Sequence, residues 1–160
     1  MMRRVPSFGS TWSGSLFAAI LVIGHLVGIG FAEAAEGPLG TCPQPRKTQQ
    51  APPEFLSKKN PLPATPAHAQ DGQKLYMETA KPLACAQCHG NKGDGQGPAG
   101  MMLVPPPRNF TCAKTMKDLS DGQLFWIIKN GSPGTGMMPF AGLADDEIWK
   151  LIHYIRTLAH

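Results

Sequence analysis

The C-terminal segment carries the clearest helical pattern in the chain. Its apolar side chains recur three and four positions apart, at Ile148, Leu151, Ile152, Ile155 and Leu158. This spacing predicts one amphipathic helix with a single apolar face. Three acidic residues at 145–147 precede the repeat, where they suit the positive end of a helix dipole, so we expect the helix to begin there. His153 falls outside the apolar face and is interpreted as a surface residue in preference to a ligand.

A second helix is predicted over residues 121–130. Ser120 and Gln123 have the spacing of a capping box, in which the two residues satisfy each other's backbone N–H groups. Apolar residues dominate positions 124–128, and Gly131 has the place of a helix-ending glycine. Both ends of this helix are therefore marked by local sequence.

A third helix is predicted over residues 71–78, with Leu75 and Tyr76 on its apolar side. It should end before Pro82, because a residue that precedes proline disfavours helical dihedral angles. No stretch of the chain alternates convincingly between apolar and polar positions, so we expect no sheet. The elements taken together predict an all-α fold.

The N terminus has the features of a secretory signal. Positive charge at Arg3 and Arg4 is followed by an apolar run over residues 16–32. Residues 32–34 read Ala-Glu-Ala, a small-x-small cleavage site. The competing interpretation is an uncleaved anchor, although 17 residues is the lower limit for crossing a bilayer. We interpret residues 1–34 as a signal peptide that directs the chain out of the cytoplasm, with membrane attachment only if this segment is retained.

The most informative chemistry lies in Cys85-Ala86-Gln87-Cys88-His89, which has the pattern C-x-x-C-H. Two thiols three positions apart lie on one side of a helical turn and can add to the two vinyl groups of haem. His89 follows at once and can place an imidazole nitrogen on the iron. This pattern is the attachment site of c-type haem. We therefore expect one covalently attached haem c, held by Cys85, Cys88 and His89.

Two other chemistries share part of this pattern. A thioredoxin-like pair belongs to a βαβ unit, and no strand-rich stretch precedes Cys85. A structural zinc site needs a second close pair of ligands, whereas Cys42 and Cys112 stand far apart. In an oxidising compartment these two remaining cysteines are expected to form a disulfide with each other. Free thiols and an intermolecular bond stay open as alternatives.

Composition divides the rest of the chain into two parts. Residues 35–69 form a Pro-rich extension with eight prolines between Pro38 and Pro66, and segments of this kind stay extended and rarely pack as regular structure. Residues 70–160 suffice for one small domain, whose thin core a covalently held haem would reinforce. The net charge is +4 at pH 7 and the lysines are scattered, which excludes a nucleic-acid footprint.

A glycine-rich loop over residues 131–140 carries the candidate second axial ligand. It reads Gly-Ser-Pro-Gly-Thr-Gly-Met-Met-Pro-Phe. Methionine usually packs in cores, but a methionine between glycine and proline, just before a terminal helix, is poorly explained by helix packing. A thioether opposite His89 would fill both axial positions and raise the haem potential above that of a bis-His site. A filled iron favours electron transfer over catalysis.

These features together resemble the class I c-type cytochromes, in particular the small single-haem cytochromes of the bacterial periplasm. The resemblance covers about residues 70–160. It rests on the C-x-x-C-H motif, the Gly-rich loop to Gly97-Pro98, the Asn130-Gly131 turn, the Gly136–Phe140 loop and the final helix. It implies a small helical domain wrapped around one haem, with its first and last helices crossing near Gly72 and Tyr154. It also implies that the carbonyl of Pro98 accepts a hydrogen bond from the non-ligating nitrogen of His89.

The resemblance leaves two methionines for the sixth position of the iron. The family ligand often precedes proline, which favours Met138. The spacing onward to the aromatic residue, to the leucine and to the last helix fits Met137 better. We therefore choose Met137 as the axial ligand, with Met138 as the alternative.

The expected function is that of a periplasmic one-electron carrier, not an enzyme. Electrons would pass through the exposed haem edge between a donor and an acceptor redox protein. Arg108 and Trp126 are candidate contacts to the haem propionates, with a surface arginine and a core tryptophan as the simpler interpretations. Two alternatives stay open: a haem-bearing subunit of a larger dehydrogenase or oxidase complex, and a haem enzyme or sensor with a labile sixth ligand.

Overall fold

The computed structural model describes residue 9, residues 39–45 and residues 48–160. Within these ranges it contains six α-helices, one π-helical turn and no strand, so the predicted all-α fold is confirmed. The helices are α1 (Pro53–Leu56), α2 (Pro66–Lys74), α3 (Ala86–His89), α4 (Ala113–Met116), α5 (Asp121–Asn130) and α6 (Asp145–Thr157). The π turn, Leu75–Thr79, continues α2. The predicted signal segment 1–34 lies outside the described residues apart from Gly9. None of the helices in the described ranges combines the length and hydropathy needed to cross a membrane.

Helix α2 begins earlier than the predicted start at residue 71. The hydroxyl of Thr65 accepts a hydrogen bond from the backbone N–H of His68 at 3.2 Å. Pro66 occupies the first helical position, where its missing N–H has no intrahelical partner to lose. The cap and the proline both lie in the segment that composition assigns to the extension, and this is why the sequence pattern placed the helix start too late.

Helices α2 and α6 cross at Gly72, as the resemblance implied. A Cβ atom on Gly72 would overlap the backbone oxygen of Lys150, so this close approach requires glycine. Farther along the crossing, the rings of Tyr76 and Tyr154 meet edge to face with centroids 5.2 Å apart. The fully buried side chains of α6 include Ile148, Leu151 and Ile152. The core of the domain therefore lies along the apolar face of α6.

The predicted starts of α5 and α6 are confirmed. The Ser120 hydroxyl accepts a hydrogen bond from the backbone N–H of Gln123 at 3.1 Å. At α6 the backbone N–H of Ala144 donates to the carboxylate of Glu147 at 2.9 Å. Alanine offers no capping oxygen, and the Glu147 carboxylate still satisfies one of the backbone donors at this helix start.

The Pro-rich extension packs against the domain at specific points. In α1, the ring of Phe55 stacks on that of Phe125 with centroids 6.2 Å apart. Farther along, the side-chain amide of Asn60 donates to the backbone oxygen of Trp149 at 2.8 Å. The expectation that this segment rarely packs as regular structure is therefore wrong for residues 53–56 and 66–69, which are helical. Aromatic and amide side chains between the prolines supply anchors that proline content does not reveal.

His153 is partly covered by this extension. Its Nε2 lies 3.0 Å from the backbone oxygen of Leu62, and its ring stacks on that of His68 with centroids 6.1 Å apart. His153 is therefore a half-buried residue at the surface, with part of its ring under the extension. The helical pattern located the face of α6 that turns away from the core, but it could not show that another segment lies on that face.

The predicted disulfide between Cys42 and Cys112 is present, with Cα atoms 5.4 Å apart. It joins the start of the described extension to the residue that precedes α4. Cys112 is buried, so the bond anchors the extension in the domain and does not merely bridge two surface loops.

Candidate haem site

The C-x-x-C-H pattern forms a single helical turn. In α3 the backbone N–H of His89 donates to the backbone oxygen of Cys85 at 2.9 Å. Gly90 ends the turn with a φ of 80°, a left-handed angle that favours glycine. The side chains of Cys85, Cys88 and His89 line one cavity, and neither thiol is in a disulfide. The structure thus brings the three predicted residues together.

The cavity is mostly apolar. Its empty volume is about 1120 Å³, counting the open mouth. Helices α5 and α6 supply many of its walls, and residues of the proline run Pro105–Pro107 supply others. The apolar lining includes Leu124, Ile127, Ile128, Leu151, Ile155 and Pro107. Walls of this kind exclude water and suit a large, flat, apolar cofactor.

The ring of His89 is held from two sides. Its Nδ1 lies 3.1 Å from the backbone oxygen of Arg108, and its face stacks on Phe110 with ring centroids 4.4 Å apart. The carbonyl found at this nitrogen is that of Arg108, where the resemblance implied Pro98. Which of these two carbonyls lies at Nδ1 of His89 depends on how the proline run folds back toward α3. The C-x-x-C-H motif does not encode that path.

The glycine-rich loop between residues 90 and 100 binds the backbone of α3. Its N–H groups donate to three carbonyl oxygens of the turn at 2.8–3.1 Å. The donors are Gly95, Gly97 and Ala99, and the acceptors are those of His89, Cys88 and Gln87. A Cβ atom on Gly97 would overlap the oxygen of Gln87. The loop therefore satisfies carbonyls that such a short helix leaves without partners, which explains its glycine content.

Both thiols are half-buried. Burial raises the pKa of Cys85 to about 12. Burial also raises the pKa of Cys88. Both side chains are therefore neutral thiols at physiological pH, a form in which they face an apolar cavity without an unpaired charge.

The loop over residues 131–140 closes another part of the cavity, and both Met137 and Met138 line the cavity. The backbone oxygen of Met137 accepts from the N–H of Ser132 at 3.0 Å, and its N–H donates to the hydroxyl of Thr135 at 3.1 Å. The Met137 side chain packs against the core, whereas Met138 is 39% exposed. The structure brings the predicted thioether to the same cavity as His89.

A polar group lies among the cavity-lining residues. Arg108 lines the cavity together with Thr48, and the Arg108 guanidinium donates to the Thr48 hydroxyl at 2.7 Å. Trp126, the other candidate for propionate contact, is not among the cavity-lining residues. Sequence reasoning missed Thr48 because it lies in the extension, with no motif around it.

The residues present fit a covalently held haem. Two neutral thiols, an imidazole and a thioether line one apolar cavity, and Arg108 lines it as well. Imidazole and thioether are one of the known axial pairs for haem iron. The thiol spacing is that of the attachment motif.

Comparisons with known proteins found a matching family and a similar structure. The family model described as cytochrome C oxidase, cbb3-type, subunit III matches residues 67–155. A structure of the Kuenenia stuttgartiensis reducing HAO-like protein complex Kustc0457/Kustc0458 is similar, with 33% sequence identity and a TM-score of 0.55. The match covers 62% of this chain and 47% of that chain, so this chain spans about half of the length of that relative. No curated protein sequence matches this chain.

Proposed function

We propose that this chain, which belongs to the cytochrome C oxidase, cbb3-type, subunit III family, is a periplasmic carrier that passes single electrons between redox proteins. Membership of this family makes the chain a c-type cytochrome with covalently bound haem c, and its general role is haem-based electron transfer. The periplasmic location, the ligand set and the role of a free carrier are our proposals.

We assign the haem contacts to four residues. Cys85 and Cys88 would hold haem through thioether bonds, His89 would be one axial ligand, and Met137 would be the other. When bound, haem supplies a one-electron couple at its iron. The observation that carries this assignment is that all four side chains line one apolar cavity.

Met137 is preferred to Met138 for two reasons. Its backbone is bonded on both sides within the loop, and its side chain packs against the core. Because a pre-positioned ligand loses less conformational entropy when it binds, the more ordered methionine is the better ligand. Two occupied axial positions leave no vacancy for a substrate, which supports electron transfer.

The other residues of the cavity control solvent and orientation. The apolar walls from α5 and α6 exclude water. This lowers the local dielectric constant and strengthens the electrostatic interaction of each nearby charge with the haem. The Arg108 carbonyl and the Phe110 ring hold His89 in one orientation. The Arg108 guanidinium and the Thr48 hydroxyl would face the haem carboxylates, for which an arginine fork is well suited.

The approach of redox partners is expected at the apolar surface formed by residues 101–104. Leu103 lines the cavity, and its neighbours Met102 and Val104 are 90% and 82% exposed. The segments 95–107 and 130–144, which both contribute lining residues, contain no charged residue. A small uncharged surface of this kind supports short-lived contacts that depend little on salt.

A role as a fixed subunit is the second candidate. The family is described as an oxidase subunit, and the similar structure comes from a protein complex. The two roles separate in purification. A chain that co-purifies with a larger enzyme at high salt is a subunit, whereas a chain that elutes alone is a free carrier.

The direct test of the carrier function is spectroscopic. The full chain, expressed in a host with working cytochrome maturation, should carry one haem that stays attached in denaturing gels. Reduced-minus-oxidised spectra should show a low-spin c-type haem, and carbon monoxide should bind the reduced protein slowly or not at all. Rapid carbon monoxide binding would favour an enzyme or sensor with a labile sixth ligand. A colourless product would overturn the proposal.

A further inference from the structure

One peptide group connects Gln44 to His89. The side-chain oxygen of Gln44 accepts the backbone N–H of Asn109 at 2.7 Å. The carbonyl of that same peptide group belongs to Arg108, and it lies 3.1 Å from His89 Nδ1. The N–H and C=O of a trans peptide share one plane and point in opposite directions. The hydrogen bond from Asn109 to Gln44 therefore orients the carbonyl that His89 meets.

Gln44 also binds the residue on the other side of Arg108. Its side-chain NH₂ donates to the backbone oxygen of Pro107 at 3.0 Å. Gln44 is buried, with 9% of its surface exposed, and its amide pairs with the backbone both before and after Arg108. A buried amide with both ends paired is held in one orientation, because turning it would leave polar groups without partners.

The backbone around Gln44 is itself anchored. The side-chain amide of Asn109 donates to the backbone oxygen of Gly40 at 2.9 Å, and Cys42, between Gly40 and Gln44 in the chain, is bonded to Cys112. Residues 40–44 of the extension are thus joined to residues 107–112 at several points. We call this set of contacts the Gln44 clamp.

We propose that Gln44 is a positioning residue that sets the electron-donating strength of His89 through the Arg108 carbonyl. The inference rests on the proposed role of His89 as axial ligand. With iron on Nε2, Nδ1 of His89 carries the proton and donates to Arg108. A well-oriented acceptor at that position raises the basicity of the imidazole. The Asn109–Gln44 bond also polarises the shared peptide group, which strengthens its carbonyl as an acceptor.

The expected consequence is a lower reduction potential than the same haem would have without the clamp. A more basic imidazole donates more electron density, and this favours the oxidised, more positively charged iron. Loss of the clamp should therefore shift the potential to more positive values. A clamp that served only to tether the extension would change stability without this shift.

The test compares two anchors of the same extension in the full-length holoprotein. Gln44→Met keeps the length of the side chain and removes both hydrogen bonds of the side-chain amide. Asn60→Ala removes the side-chain hydrogen bonds to Trp149 and Leu62, and neither of these bonds involves residues 107–112. Reduction potentials are measured by spectroelectrochemical titration, and stability is measured by denaturant titration. We expect a positive shift in potential for Gln44→Met and an unchanged potential for Asn60→Ala, with both variants losing stability.

Two results would overturn the inference: an unchanged potential in Gln44→Met, or equal shifts in both variants. If Gln44→Met yields no holoprotein, the double variant Cys42→Ser, Cys112→Ser releases the same backbone. That variant should shift the potential in the same direction, and an unchanged potential there contradicts the clamp equally. Failure of the proposed function is recognised separately, because it requires a wild-type chain without covalent haem or without a low-spin spectrum.

Discussion

The hydroxyl of Tyr76 donates a hydrogen bond to the backbone oxygen of Gly90 at 2.8 Å. Tyr76 lies in the π turn that follows α2 and is fully buried. Gly90 directly follows His89. The same ring meets Tyr154 and Phe110 edge to face. One side chain therefore joins the helix crossing to the turn that carries the haem motif.

Replacement of Tyr76 by phenylalanine should destabilise the protein by about 1–3 kcal/mol. The ring would still fill its place in the core, but the Gly90 oxygen would lose a buried partner, which costs free energy of this size. Denaturant titration of the holoprotein measures the loss. Tyr154→Phe is a useful comparison, since it alters the other tyrosine of the same edge-to-face pair. A Tyr76→Phe variant as stable as the wild type would show that this bond contributes nothing.

Stability should fall in alkaline solution, in part because of Tyr76. Burial raises the pKa of Tyr76 well above its ordinary value of 10.0, so the folded state retains the proton that the unfolded state loses. The contribution of Tyr76 to the free energy of unfolding is fully present below about pH 10. It declines as the pH rises further, because the unfolded chain then binds fewer protons than the folded chain. Unfolding free energies measured between pH 8 and 11 should fall less steeply in Tyr76→Phe. The pKa of Tyr154 is also raised, so the slope should shrink without vanishing.

Gly72→Ala should destabilise the domain by at least about 3 kcal/mol. The added methyl group would overlap the backbone oxygen of Lys150, and backbone cannot move aside as a flexible side chain can. Gly142→Ala is the matched control, because a Cβ atom there meets nothing within 4 Å, and it should stay within about 0.5 kcal/mol of the wild type. Thermal unfolding of both holoproteins makes the comparison. Equal stability of the two variants would contradict the crossing.

Met137→Ala should abolish the weak absorbance band near the red edge of the oxidised spectrum, which reports a thioether on the iron. It should also lower the reduction potential and allow rapid carbon monoxide binding, because a His/Met pair raises the potential and fills both positions. Met138→Ala should leave all three properties close to those of the wild type. The reverse pattern would assign the ligand to Met138.

Arg156→Leu should cost about 2 kcal/mol of stability. The guanidinium donates to the backbone oxygen of Met116 at 2.7 Å and to the carboxylate of Asp121 at 2.7 Å, so its removal leaves a carbonyl and a charge without their partner. Arg156→Lys should recover only part of the loss, because an ammonium group cannot reproduce a planar fork. The exposed Lys117 offers a control, and Lys117→Ala should stay near the wild-type stability. If Arg156→Lys were as stable as the wild type, the planar shape of the guanidinium would not be needed.

Contiguous stretches of sequence were enough to predict the chemistry and the main helices. Cys85, Cys88 and His89 are neighbours in the chain, so one helical turn is sufficient to bring their side chains to one cavity. The caps and apolar repeats of α5 and α6 are likewise local, because helical hydrogen bonds join residues four apart. The Cys42–Cys112 pair could be predicted by elimination, since the haem motif accounted for the other two cysteines. The location of the signal segment and the boundaries of the domain stay predictions.

Contacts between distant residues were decided by the tertiary structure alone. His89 meets the carbonyl of Arg108 because the proline run folds back onto α3, and Gln44 reaches that backbone from far along the chain. His153 is partly covered because the extension lies on α6. Such contacts depend on the whole path of the chain and on which buried polar groups find partners, and a pattern that spans a few helical turns carries no information about either.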